Sequence, residues 1–322
     1  MTNSPFLSNC TADAIRDAAA ALKAGHLVAF PTETVYGLGA DARNPDAVKR
    51  IYEVKGRPTD HPLIVHISSI NQLEKWASEI PDYAISLARE FWPGPMTLIL
   101  KRTDLAGDFI TGGQDTVGLR VPSDPIALAL IKEFEKISNS AIAAPSANRF
   151  GQVSPTSCAD VQEELGGLLL DSDKILDGGN SLIGIESTII DCTSDAPMIL
   201  RKGSVTRSEI VQTIGDVIST KGSSDIKFSG SFDKHYSPQA EIILDLEPAA
   251  NDGYIAISTI LTPINVVRLS APRDVQDFAR SLYSSLRKAD QKGIRRIVIA
   301  QPEGEGLAEA IRDRLAKAAK GR

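Results

Sequence analysis

The segment Lys55-Gly-Arg-Pro-Thr-Asp-His-Pro-Leu-Ile-Val-His66 constrains this chain most. A helical pattern that starts at Asn44-Pro45 runs into it. Gly56 suits the left-handed residue that closes a helix. Pro58 and Pro62 forbid further helix and stiffen the turn. Leu63 to Ile67 is an apolar, β-branched run of strand length. The chain must turn here from helix to buried strand, with Lys55 and Arg57 on the turn and His66 on the strand. Two cations at a helix end can simply complement the helix dipole and stay solvated. They can also face an anion, and the other segments decide between these readings.

A chain of 322 residues is expected to hold two domains. Its 42% hydrophobic and 24% charged content are ordinary for a soluble globular protein. A net charge of -6 argues against non-specific nucleic-acid binding as the main task. Cys10, Cys158 and Cys192 form no CxxC pair, which argues against structural zinc and thioredoxin-like chemistry. Reduced thiols, no leader pattern and no run long enough to span a bilayer make a cytoplasmic location the expectation.

Thr11 to Gly25 reads as a capped, alanine-rich helix, and His26 to Phe30 as the strand after it. Pro31-Thr-Glu-Thr-Val-Tyr-Gly-Leu-Gly39 then sets polar groups past the strand's carboxyl end, where α/β sheets hold ligands. It is neither a Walker loop nor a dinucleotide fingerprint. Thr116 to Pro122 is a strand carrying Arg120 among apolar neighbours. Such an arginine points outward, or, if buried, needs an anion or carboxylate. Ala141 to Asn148 is a strand ending in small polar residues, and Thr156 is a plausible helix cap. Gly184 to Asp191 and Met198 to Gly203 are further strands, the second ending at Arg201. Thr206 to Ile214 closes a first domain as a helix.

The segment from Ser219 to Ser237 is rich in Ser, Gly and Lys and reads as a linker. Beyond it, strand and helix patterns alternate, as in a small open α/β sheet. The last helix is basic on balance and reads as a solvated face. The expected boundaries are 1–215, 216–238 and 239–322.

Taken together and in order, six segments resemble one family. They are Pro31 to Gly39, Lys55 to Pro58, Pro62 to His66, Val117 to Pro122, Ala144 to Asn148 and Glu186 to Asp191. The chain resembles the YrdC-type threonylcarbamoyl-AMP synthases, in the longer form with an extra C-terminal domain. The resemblance implies a twisted mixed α/β sheet around a concave cavity, with a smaller Rossmann-like second domain and residues 216–238 as a linker or lid. It implies a nucleotidyltransferase that joins L-threonine, bicarbonate and ATP and releases pyrophosphate. A separate tRNA threonylcarbamoyl transferase then modifies adenosine 37 of tRNAs reading ANN codons, so a weak tRNA contact is possible.

Carried over by motif, Thr34, His66, Arg120, Ala144 and Ser187 would line the L-threonine pocket. Arg57, His61, Thr116, Ser146, Asn148, Ser154, Arg201 and Tyr236 would contact ATP. Lys55 and Arg57 would be the catalytic cations. No residue is assigned to a metal site, and Mg2+ is expected on the phosphates, mostly water-coordinated. Two departures stand out: position 61 is often Asn in the family, and the linker before His235 lacks the usual Pro-Gly-Met run.

All reactants are anionic, so positioning and charge neutralisation should supply most of the rate. Arg120 suits a carboxylate, because its planar fork can bind one bidentately. An RNA-binding module without ATP turnover is the alternative, weakened by the acidic balance and 5% aromatic content. Carbamoyl transfer in hydrogenase maturation is another, but that class carries zinc-finger cysteine pairs.

Overall fold

The computed structural model describes residues 10–219, 226–230 and 236–320. Residues 220–225 and 231–235 of the linker, His235 among them, lie outside this set. The first domain is built on a mixed sheet of ten strands. These are β1 (Val28–Phe30), β2 (Gly37–Asp41), β3 (Ile64–His66), β4 (Ala77–Ser78), β5 (Met96–Arg102), β6 (Thr116–Arg120), β7 (Ile142–Ala144), β8 (Lys174–Ile175), β9 (Thr188–Asp191) and β10 (Met198–Arg201). Their order is β10-β9-β5-β6-β3-β7-β2-β1-β8, with β4 beside β5.

The turn at Lys55 forms as its residues require. The Asn44 side chain accepts from the Asp46 and Ala47 amides and starts helix Pro45–Lys55. Gly56 closes that helix at φ 61°, ψ 34°. The Arg57 amide donates back to Tyr52 O at 2.9 Å and the Gly56 amide to Glu53 O at 3.1 Å. The chain then enters β3 through Pro62. Thr11 caps its helix as expected, and Thr206 caps the helix that it opens. Thr156 does not cap the next one. Ser157 does, in a reciprocal pair with Asp160, and the Asp160 carboxylate also takes the Thr156 amide and hydroxyl.

Register decides which side chains share a face. His66 lies opposite Arg120 on β6 and Ile142 on β7, and Ile64 opposite Gly118 and Ala144. Ile64, His66, Gly118, Arg120 and Ala144 therefore point to one side of the sheet. Their neighbours Val65, Leu119 and Ala143 point to the other, into the main apolar core with Leu98, Ile51, Trp76 and Leu87. On the first side, helices Ala12–Lys23 and Pro125–Ser138 cover only the β1–β2–β7 end, burying Val28, Phe30, Ile142 and Leu176. The middle of that face is left to the site.

The second domain has a four-stranded parallel sheet of β11 (Glu241–Leu244), β12 (Gly253–Ile255), β13 (Val267–Ser270) and β14 (Arg296–Ile299), in the order β11-β14-β12-β13. Helices Val275–Gln291 and Leu307–Ala319 bury one face through Phe278, Leu282, Leu286, Ile311 and Leu315. The same apolar cluster takes in Val35, Val153 and Ile185 of the first domain, so the two domains share a core. Gly184, at φ +84°, meets this helix closely: a β-carbon there would lie 2.6 Å from Ala279 O. Among the described residues, no helix is long and apolar enough to cross a membrane.

Candidate active site

The uncovered middle of the sheet carries a pocket. Its walls include Thr34, His66, Arg120, Ala144, Ser146, Ser187, Arg201 and Tyr236. These residues come from separate segments of the first domain and from the linker. Eight of the residues singled out in the sequence therefore meet in one space. Lys55, Arg57, His61, Thr116, Asn148 and Ser154 stand outside its immediate wall. Thr32, Glu33 and Glu186 belong to the site and were not among the site residues read from the sequence.

Burial governs the electrostatics. Arg120 and Glu33 are 4% and 3% exposed, and Arg120 Nη2 donates to Glu33 Oε1 at 2.7 Å. The second Glu33 oxygen accepts from the Ser123 amide at 3.1 Å, and Arg120 Nε donates to Gly94 O at 3.3 Å. The outward alternative for Arg120 is thereby excluded. Burial first, then Arg120, pushes His66 down to about 3, so its imidazole is neutral. His66 Nδ1 is buried without a partner among the described residues. Burial, then Arg57, takes His61 down to about 4, so it too is neutral near pH 7.

The turn cations are buried rather than solvated, against the dipole-only reading: Lys55 is 2% and Arg57 7% exposed. Lys55 Nζ donates to Ser146 O at 2.6 Å and to Asn148 O. It thus pins the loop after β7 and keeps one of its three N–H groups. Burial, then Arg57, holds its pKa well below the usual lysine range. Arg57 Nη2 donates to Pro62 O at 3.1 Å, while its Nε and Asn148 Oδ1 are buried without partners among the described residues. Burial lowers Arg57 to about 10.

Ser187 is held on three sides. Its hydroxyl pairs with Thr97 Oγ1 at 2.8 Å and accepts from Arg201 Nη2 at 3.0 Å, and its carbonyl accepts from Arg201 Nε at 3.0 Å. Thr32 and Thr34 hydroxyls pair at 2.8 Å, and the Thr32 hydroxyl also donates to Val35 O at 2.6 Å. That closes the loop after β1 as a tight polar turn.

Glu186 is the feature that sequence reasoning reached least. Its carboxylate accepts from Ser154 Oγ at 2.7 Å, the Tyr283 hydroxyl at 2.9 Å and Arg314 Nε at 2.9 Å. Burial alone would raise its pKa, but the charges of Arg314 and Arg201, with the hydrogen bonds from Arg314 and Ser154, bring it down to about 2. Arg314 corrects the reading of the last helix as a solvated face, since its side chain has 0% exposure. The signal in the sequence was the spacing of Arg314, which falls with Ile311, Leu315 and Ala318 on the apolar stripe of an amphipathic helix.

The chain is matched by two family models. One, described as "Telomere recombination" and covering the Sua5, YciO and YrdC proteins, spans residues 20–203. The other, described as "Threonylcarbamoyl-AMP synthase, C-terminal domain", spans residues 205–320. A threonylcarbamoyl-AMP synthase of Pyrococcus abyssi (strain GE5 / Orsay) is 42% identical over 94% of this chain and 93% of its own length. One of Bacillus subtilis (strain 168) is 41% identical over 96% and 93%. The crystal structure of P. abyssi Sua5 complexed with L-threonine matches with a TM-score of 0.86 at 41% identity, over 97% of this chain and 96% of that one. With both domains matched in order across nearly their full length, the chain belongs to the two-domain threonylcarbamoyl-AMP synthase family.

Proposed function

We propose that this protein is a nucleotidyltransferase that makes threonylcarbamoyl-AMP and pyrophosphate from L-threonine, bicarbonate and ATP. The observation that carries this is the convergence of Thr34, His66, Arg120, Ala144 and Ser187, from five separate segments, on one buried cavity. Arg120, already oriented by Glu33, offers its fork to the threonine carboxylate. Neutral His66 and the Thr34 and Ser187 hydroxyls read the remaining polar groups. The neutral threonine amine condenses with bicarbonate, losing water, to give an N-carboxylate, whose oxygen attacks the α-phosphate of ATP as pyrophosphate leaves. Side chains here neutralise and orient charge rather than form a covalent bond.

Lys55 and Arg57 are the catalytic cations in this reading, with Arg201 beside them. The buried, unpartnered Arg57 Nε and Asn148 Oδ1 support a polar ligand on that side. His61, Thr116, Ser146, Asn148, Ser154 and Tyr236 complete the ATP contacts. Both carboxylates of the site are already engaged by arginines, which supports Mg2+ arriving on the phosphates and water. The product passes to a tRNA threonylcarbamoyl transferase, and any tRNA contact by this chain is weak.

The proposed division is a YrdC-like catalytic domain over 1–215 with a concave cavity, a lid over 216–238, and a Rossmann-like domain over 239–322. Contacts of the linker support the lid. Gln114 both donates to Lys227 O at 3.0 Å and accepts from its amide at 2.7 Å. Lys227 reaches Asp60 at 2.7 Å, and Arg201 Nη1 donates to Ser229 O at 2.7 Å. A carbamate loses CO2 readily in water, so a closed cavity protects the intermediate. The test is pyrophosphate release with each substrate omitted in turn. Release should require threonine and bicarbonate together, and equal release without threonine in CO2-depleted buffer would refute the reading.

A further inference from the structure

We infer that Arg314 and Tyr283 of the second domain are positioning residues for the reaction, acting on the cavity through Glu186 and the Lys202 carbonyl. The inference rests on the reaction proposed above.

Two strand ends must be held at a fixed spacing for the cavity to exist. Ser187 stands just before β9 and Arg201 ends β10. They touch each other through the Ser187 hydroxyl and carbonyl, each 3.0 Å from an Arg201 nitrogen. One guanidinium grips the neighbours of both. Arg314 Nε donates to Glu186, next to Ser187, and Arg314 Nη2 donates to Lys202 O, next to Arg201, at 2.9 Å each. The planar, fixed fork of an arginine sets the distance between its two acceptors, which a lysine would not do. The strand ends are close: a β-carbon on Gly203 would lie 2.4 Å from the Thr188 amide nitrogen.

Tyr283 adds a second hold. Its hydroxyl donates to Glu186, and its ring stacks on Tyr236 with centroids 5.7 Å apart and planes at 21°. On Tyr236 the Arg314 guanidinium also rests, 5.5 Å from the ring centroid. Tyr236, a wall residue of the cavity, is therefore placed by the same two side chains that hold Glu186. Ser154 is tied in through the other Glu186 oxygen. None of these groups in the second domain lines the cavity itself. Their effect on the reaction is through geometry.

Arg314→Met alone leaves a buried carboxylate without its cation and should destabilise the protein. Glu186→Gln combined with Arg314→Met removes both charges and should restore most of the melting temperature. Turnover of the folded double variant should remain at least about tenfold below wild type, with rising KM for threonine a smaller part of the loss than falling kcat. Tyr283→Phe keeps the ring stack, should melt near wild type, and should lose severalfold in kcat. Wild-type turnover in either the double variant or Tyr283→Phe would overturn the inference. A crystal structure of the double variant tests the geometry independently of activity. The Ser187–Arg201 contact should open, and an intact contact would overturn the positioning role even if no variant could be assayed. Failure of the wild type itself to release pyrophosphate with threonine would instead strike the proposed reaction.

Discussion

Arg120 Nη2 donates to Glu33 Oε1 across 2.7 Å, and neither side chain is more than 5% exposed. A buried pair of this kind is costly to break from one side, by about 3–5 kcal/mol. Glu33→Gln should therefore lower the melting temperature by on the order of 10 °C. If Arg120 faces the substrate carboxylate, saturating L-threonine should raise the melting temperature more in the variant than in wild type, because the ligand replaces the lost anion. Thermal melts with and without threonine make the comparison, and equal shifts would separate Arg120 from the substrate.

Arg57 is buried on a turn closed by Gly56 and Pro58. If Arg57 faces the ATP phosphates, Arg57→Ala should remove a charge-assisted contact worth about 2–4 kcal/mol of transition-state stabilisation. That is a rate loss of about two to three decades. Melting should change little, because burial already disfavours the Arg57 cation. Arg57→Lys should rescue only in part, as an ammonium lacks the fork. Near wild-type pyrophosphate release from the alanine variant would remove Arg57 from the catalytic set.

A fragment of residues 1–215 should fold but work poorly. The buried residues of its main core, such as Leu98, Leu119 and Ile190, all belong to the first domain. It loses the partners of Ile185 and leaves Glu186 without Arg314. Circular dichroism should show a cooperative melt below that of the full chain, and turnover should fall by at least about a decade. Full activity of the fragment would leave both the lid and the second domain without a catalytic role.

Folded His66 titrates near 3, well below its ordinary 6.5. Between those values the unfolded state binds more protons, so stability rises with pH across this window and is lost as pH falls. The slope from this one group is about 1.4 kcal/mol per pH unit. His66→Asn should flatten the dependence of unfolding free energy on pH by that amount between about pH 4 and 6. Denaturant titrations at several pH values measure it. An unchanged slope would mean that His66 is not held neutral by burial.

Local interactions were legible in the sequence because they close within a few residues. Asn44, Pro45 and Gly56 mark a helix whose cap bonds span two to four positions, and the structure keeps them. The β-branched run after Pro62 becomes β3, and the alternation beyond Gln239 becomes a parallel sheet with its two helices. The ordered motifs also carried the family, since their residue types recur in one sequence order. What the sequence left open lies in contacts between distant segments. Arg120 had two readings until strand order brought Glu33 to it across 87 positions. Lys55 and Arg57 had two as well, until packing buried them. Arg314 reads as a surface cation in its own helix, and only the docking of that helix sets it against Glu186, 128 positions away. A side chain's charge is written in the sequence, but its solvent exposure and its partner are set by which surfaces the sheet and helices bring together.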